Sequence, residues 1–302
     1  MAGPLSGKYG AIDAVKDITN WSITETSEPV ESVTSATKGG RRRSSGIKDA
    51  SGSYAGKGGD PIVKPFVKHA FKGYSAPDDE VYGSAGITYE GDVYANSITI
   101  NFNPSGNEDI NHSVDFAFDQ GVVIGSGFYK DDGPPYLSSV CPFKIEYGAA
   151  GAEVEIEHIS TATLTFTVDI LEYVNSSTNC TKGRKPGPLD WSLDITIEDN
   201  VRPIPIQADE RLKVWINATE FFILEFGHLA SYSDFNVDIE SGAIISQTMN
   251  WMMQAYEQDA LTTIGQIIWP DLDVVWPPIE PTVVATVKGK NDPPAVKAPA
   301  MK

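Results

Sequence analysis

The sequence predicts a mainly β protein made of two tandem units, each a β-sandwich or rolled sheet with one short helix. Three observations carry the prediction. Residues 18–51 align without a gap on residues 159–192, a constant shift of 141. Identities along that alignment include Ile18, Thr24, Thr26, Glu31, Val33, Ser35, Thr37, Gly46, Asp49 and Ser51, which recur as Ile159, Thr165, Thr167, Glu172, Val174, Ser176, Thr178, Gly187, Asp190 and Ser192. A fixed-shift match is the mark of one unit written twice. Within the repeat apolar residues alternate with polar ones, as in Leu164, Phe166, Val168 and Ile170, which is the period of a strand with one dry face. The chain is also rich in Gly, Ser, Thr and aromatics and sparing of Leu, a composition that suits pleated structure.

Taken in order, residues 1–9 read as an arm that is ordered only if something ties it down, and 10–14 as a short first strand. Trp21 and Ile23 share the parity of Ala162 and Leu164, so both copies open with a strand of the same facing. A Ser/Thr/Gly/basic stretch follows in each copy, 35–45 and 176–185, and then a second alternating run, Trp191, Leu193, Ile195 and Ile197 in the later copy. The pattern is two strands joined by a long polar hairpin. Residues 61–73 carry Val63, Val67, Ala70 and Phe71 at helical spacing before a glycine, which predicts the short helix, with 208–214 as its counterpart. Ser97, Ile98, Thr99, Ile100 and Asn101 alternate cleanly, turn at 104–107 and return through Val114, Phe116 and Phe118. Phe235, Val237, Ile239 and then Met249, Trp251 and Met253 repeat this plan at a shift near 135, so about six residues are missing from the second copy, with the loop 75–80 as the place. The reading divides the chain into 1–130, 131–268 and a Pro-rich extended arm, 269–302, whose Val274, Val275, Trp276 and Ile279 suit a segment lying along a surface.

The order of features in the first copy is a Trp-Ser-Ile strand, a loop of Gly and basic residues, then Gly46, Asp49, Ser51, Gly52, Ser53 and Tyr54; the second copy has Gly187, Pro188, Leu189, Asp190, Trp191 and Ser192. This resembles the tail tube proteins of long-tailed bacteriophages, and the resemblance extends through both halves to about residue 256. It implies a structural virion protein with no catalytic site, cofactor or metal: a major tail tube subunit that polymerises with itself into stacked rings, meets other tail proteins at the tube ends, and passes DNA through its lumen without specific binding. In the family the long hairpin touches the next ring. Lys38, Arg41, Arg42 and Arg43 are therefore expected at an inter-subunit contact, as are Val274, Val275, Trp276 and Ile279 of the arm. Two units per chain fill six places with three chains, a trimeric ring of pseudo-sixfold symmetry. A related virion β protein, such as a tail hub, distal tail or capsid decoration protein, stays open as an alternative, as does a carbohydrate-binding or hydrolytic β-sandwich.

The formal charge of −18 argues against a conventional nucleic-acid-binding face, which needs clustered cations, and suits a conduit that must not hold its cargo. Two cysteines are too few for a disulfide framework and imply free thiols. No secretory signal or apolar run long enough to span a bilayer is evident, so the expected place is the phage tail, and the host cytoplasm during assembly, with no membrane partner. The glycine-rich run 52–58 lacks phosphate-loop spacing, and His69, His112, His158 and His228 lack ligand-spaced partners. Paired acids such as Asp115 with Glu108 or Asp109, and Glu220 with Glu225, keep the hydrolytic alternative alive.

Overall fold

Alternation at period 2 turns the first hairpin into two paired strands, β2 (Ile18–Ser27) and β5 (Lys48–Lys57), in which Ile23 lies opposite Gly52 and Thr26 opposite Asp49. The computed structural model describes residues 11–12, 18–59, 61, 63–75, 86–103, 110–127, 143–199, 202–216, 221–236, 245–254, 267–268 and 275–276. The other strands of the first half are β1 (Ala11–Ile12), β3 (Val30–Ser32), β4 (Arg42–Ser44), β6 (His69–Tyr74), β7 (Gly86–Phe102) and β8 (Asn111–Gly127). The second half adds β9 (Ile145–Tyr147), β10 (Val154–Glu155), β11 (Ile159–Tyr173), β12 (Gly183–Ile197), β13 (Asp209–Trp215), β14 (Phe221–Asn236), β15 (Ser246–Met253), β16 (Ile267–Ile268) and β17 (Val275–Trp276). The protein is mainly β, and all of these strands except β3 and β4 join one antiparallel sheet of 15 strands.

The repeat holds strand for strand. The first half runs β2-β5-β8-β7-β6-β1 and the second β11-β12-β15-β14-β13-β9-β10. Register holds too: Ile23 opposite Gly52 becomes Leu164 opposite Leu193, and Thr26 opposite Asp49 becomes Thr167 opposite Asp190, both at a shift of 141. Gly52 opposite Phe116 becomes Leu193 opposite Trp251, so the last strand is displaced by 251 minus 116, or 135. The shift is still 141 at β6, where His69 corresponds to Glu210, and falls to 134 at β7, where Val93 corresponds to Gly227. The loss falls at the turn between these strands, where 13 residues separate paired Tyr74 and Thr88 but five separate Trp215 and Phe221; of the eight lost, the β14 bulges opposite Glu210–Leu212 and between Ser233 and Asn236 each restore one.

Each half rolls so that its first strand reaches its fourth. Trp21 of β2 meets Tyr89 of β7 edge-on, with ring centroids 6.0 Å apart, although β5 and β8 lie between them in the sheet. Phe166 of β11 likewise comes within 6.3 Å of Phe222 of β14. Inside the first roll Phe71, Phe116 and Phe118 pack ring on ring above two glycines. A Cβ on Gly52 would lie 2.6 Å from the Phe116 ring, and one on Gly91 2.8 Å from Phe118. The second roll fills the equivalent space with Trp191, Leu193 and Trp251, all buried. Each large side chain removed from water contributes about 1.5–3 kcal/mol, so both arrangements are strongly favoured.

The expected helix at 61–73 is corrected by the structure, as is its counterpart at 208–214. The described part of the first segment turns at Pro65 and Phe66 and then runs as strand β6, and the counterpart is strand β13. Pro65 withholds a backbone donor, and Phe66 sits at φ +62, a left-handed conformation that ends a helix. Gln207, at the same place in the second half, has φ +69. Pairing with β7 supplies every ladder partner from His69 to Tyr74 and buries Phe71, which outweighs a weak helical spacing. Among the described residues the helical turns are two three-residue 3-10 turns, Ser35–Thr37 and Ser176–Thr178.

The two units share one core and one sheet. β11 pairs with the second part of β7, from Ala162 opposite Phe102 to Thr167 opposite Ser97. Buried Ile98, Ile100 and Phe102 are thereby continuous with Ala162, Leu164 and Phe166. The division at about residue 130 falls in the stretch 128–142, outside the described residues.

Candidate subunit-contact surfaces

The two long hairpins are built alike. Thr37 donates its hydroxyl to the Thr34 carbonyl at 2.8 Å and accepts the Thr34 N–H at 3.0 Å; Thr178 does the same with Asn175 at 3.0 and 3.2 Å. Lys38 and Asn179 then turn the chain, both at φ +46. Gly46 and Gly187 explain their own recurrence: a Cβ would come 1.6 Å from the Glu28 carbonyl oxygen in one hairpin and 2.6 Å from that of Asp169 in the other. Both hairpins also expose the same two apolar positions, Val30 and Val33 at 59% and 60%, Leu171 and Val174 at 57% and 48%.

Their surroundings differ. The second hairpin is docked on the first unit by backbone hydrogen bonds from Lys48 N–H to the Cys180 carbonyl (2.8 Å) and from Gln120 N–H to the Lys182 carbonyl (2.9 Å). Arg184 completes the dock. Its side chain is 3% exposed and donates to the Phe118 carbonyl, to Asp49 and, at 2.8 Å, to Glu172, while its own N–H donates to Asp119 at 2.7 Å. Lys182 bridges Asp49 at 3.1 Å and Glu172 at 2.9 Å, and Lys68 pairs with Asp119. Burial pushes the Asp49 carboxyl up, but the hydrogen bonds and charges of Arg184 and Lys182 outweigh it and hold it below the usual range. The Lys182 hydrogen bond, with help from Arg184, does the same for Glu172.

The first hairpin has no such dock within the described residues. Arg41 and Arg43 both reach Glu31, at 3.2 and 2.6 Å, and both stay exposed. Arg42 lies exposed on β4 opposite Ser32, and Lys38 is exposed at the turn. Glu31 therefore neutralises part of this exposed basic cluster. Of the expected arm contacts, Val275 and Trp276 form β17, which pairs with β16 and through it with Ile223 and Leu224 of β14, so their backbone is tied to their own chain. Val274 and Ile279 lie outside the described residues.

Arg184, Asp49 and Glu172 were not singled out as site residues from sequence. The signal was there, because Arg43 and Arg184 are one more identical pair at the shift of 141. The described residues hold no group of three or more His, Cys, Asp or Glu side chains placed to take a metal. A cleft beside the dock is lined by Glu25, Lys48, Asp49, Gln120 and Thr181, and its Asp49 is occupied by Arg184 and Lys182. Glu225 is paired with Arg211 at 3.0 Å; Glu108, Asp109 and Glu220 lie outside the described residues. No described helix is long and apolar enough to cross a membrane.

The fold and surfaces together define a duplicated, mainly β protein whose second hairpin is docked inside the chain and whose first has no such dock among the described residues. No protein-family model matches the chain, and no characterised protein matches it in sequence.

Proposed function

We propose that this chain is the repeating subunit of a bacteriophage tail tube, assembling with copies of itself into stacked rings of three chains that present six similar units around a DNA conduit. The observation that carries the reading is the strand-for-strand repeat, with equal register in both halves and one unit already joined to the next through β7 and β11. An array of like units is what such a joint builds when it is continued. The matching exposed apolar pairs, Val30 with Val33 and Leu171 with Val174, give both hairpins a surface for the next ring, since paired exposed apolar residues at equivalent places suit a contact. A formal charge of −18 suits a lumen that repels phosphate. On this reading the protein works through packing and edge pairing, without catalysis, in the virion.

Negative-stain microscopy of the purified protein, with rotational averaging of end-on views, tests this. Tubes or stacked rings with six similar densities at one radius, related in three pairs, are expected. Single closed rings that never stack would favour a hub or distal tail protein, and six inner with six outer densities would replace three chains by six. Replacing Arg41, Arg42 and Arg43 by Glu should slow tube growth while leaving the monomer folded, and unimpaired growth would remove the first hairpin from the contact.

A further inference from the structure

The joint between β7 and β11 has two parts. Residues 97–102 of β7 take the edge of β11, with Ser97 opposite Thr167, and Lys182 and Arg184 of the second hairpin reach back to Asp49 and Asp119 of the first unit. Each component has a counterpart elsewhere in the chain that is unjoined among the described residues. The counterpart of the β7 edge is 231–236 of β14, because 97 plus 134 is 231, and no described strand pairs with it on the side that continues β13. The counterpart of the β11 edge is the outer edge of β2, at the end of the sheet, where 167 minus 141 is 26. Trp21 and Ile23 there are half-buried, whereas Ala162 and Leu164 in the joined strand are fully buried.

The charges recur as well. Arg41, Arg43 and Glu31 stand where Lys182, Arg184 and Glu172 stand in the second hairpin. Asp190, the counterpart of Asp49, is exposed and has no ion-pair partner among the described residues. Gln254 takes the place of Asp119, since 119 plus 135 is 254, and its Oε1 is buried without a hydrogen bond among the described residues. In the internal joint that position accepts the Arg184 N–H. A buried acceptor without a donor is costly, and the same place in the joined unit shows where a donor comes from.

We propose that the chain binds a second copy of itself head to tail through a joint that continues this internal one. The 231–236 edge of one copy takes the β2 edge of the next, with Thr26 opposite Ser231, and the incoming hairpin places Arg41 and Arg43 on Asp190 and the Arg43 N–H on Gln254. The joint is heterologous, using a different surface on each copy, so it closes into a ring or continues as a helix according to the rotation it imposes. Its strand pairs are more polar than the internal ones: Glu25 with Tyr232 stands where Phe166 with Ile98 is buried. That makes association reversible and leaves the single chain soluble. The joint deepens the ring reading and rests on it only for closure at three.

Disulfide trapping tests it, because directly opposed strand residues lie within the Cα separation that a disulfide spans. In a chain with Cys141 and Cys180 changed to serine, T26C mixed with S231C should give covalent dimers under oxidation, and a chain carrying both should give cross-linked trimers. S97C with T167C should close within one chain as the internal reference. S22C with S231C, four residues out of register, should not link. D190K should weaken self-association about tenfold, the effect of turning an attractive interfacial charge into a repulsive one. If tubes form but T26C and S231C do not link, the joint is wrong and the ring reading stands. An open ladder of linked chains in place of trimers keeps the joint and sinks the three-chain ring. A chain that stays monomeric at all concentrations overturns both, and unchanged association of D190K overturns the hairpin's part.

Discussion

Two arginines at the same place in the repeat should differ sharply in what they contribute. Arg184→Met keeps most of the apolar stem but removes donors to the Phe118 carbonyl, Asp49 and Glu172. Breaking a buried, hydrogen-bonded ion pair by removing one partner costs about 3–5 kcal/mol. The lower end applies, because Lys182 remains 3.1 Å from Asp49 and 2.9 Å from Glu172, and Glu172 is 43% exposed, so neither carboxylate is left wholly unpaired. The expected loss is about 3 kcal/mol, or a urea midpoint lower by about 1 M at a slope near 3 kcal/mol/M. Arg43→Met breaks only an exposed pair with Glu31, with side chains 63% and 36% exposed, and should cost under about 0.5 kcal/mol in the monomer. Urea unfolding of dilute monomer gives both values, and hydrogen exchange at the Lys48 and Gln120 amides reports whether the second hairpin has come undone. Losses for the two variants within 0.5 kcal/mol of each other would refute the clamp.

Three further outcomes follow from the same packing. Burial, with the Lys64 charge beside it, lowers the His69 pKa from 6.5 to about 4, and its Nε2 accepts the Lys64 N–H at 3.1 Å. The unfolded chain takes up that proton first, so stability is full above about pH 6.5 and falls by at most about 3 kcal/mol as pH drops to 4; His69→Gln should flatten this part of a stability titration. Asp49 and Glu172 have depressed values, so their contribution is present above the ordinary carboxylate range and lost only as pH falls below it, a separate acid limb that Asp49→Asn should shrink in urea melts. Gly46→Ala should destabilise the first hairpin by more than about 3 kcal/mol and more than Gly187→Ala does the second, since the added Cβ lies 1.6 Å from a backbone oxygen in one and 2.6 Å in the other; equal melting temperatures for the two variants would contradict this.

How much was legible in the sequence can be read from particular residues. Leu164, Phe166 and Val168 announced a strand because alternation maps directly onto a pleat, and the constant shift of 141 announced a second copy because a gapless repeat keeps its register. The positions of Asp49 and Asp190, and of Ile23 and Leu164, followed from that alone. The Ser, Thr and Gly identities in the hairpins turned out to be turn chemistry, held by Thr37 and Thr178 and by the close approach at Gly46 and Gly187.

Residues 61–73 were misread because Val63, Val67 and Phe71 sit at helical spacing, and spacing is blind to a neighbour. Only the packed sheet supplies β7 as a partner for β6, and only there do the rings of Phe116 and Phe118 come together to enclose Phe71. The same holds for Arg184. Its identity with Arg43 was visible, but whether such an arginine is buried or exposed depends on what stands opposite its hairpin, and that is settled by chain segments more than 60 residues away, Phe118 and Asp119 among them. The sequence by itself determined the β class, the duplication and the register, all of which rest on local period and turn residues. The tertiary structure decided which edges are joined and which are open, because edge pairing and charge burial are properties of surfaces brought together from distant parts of the chain.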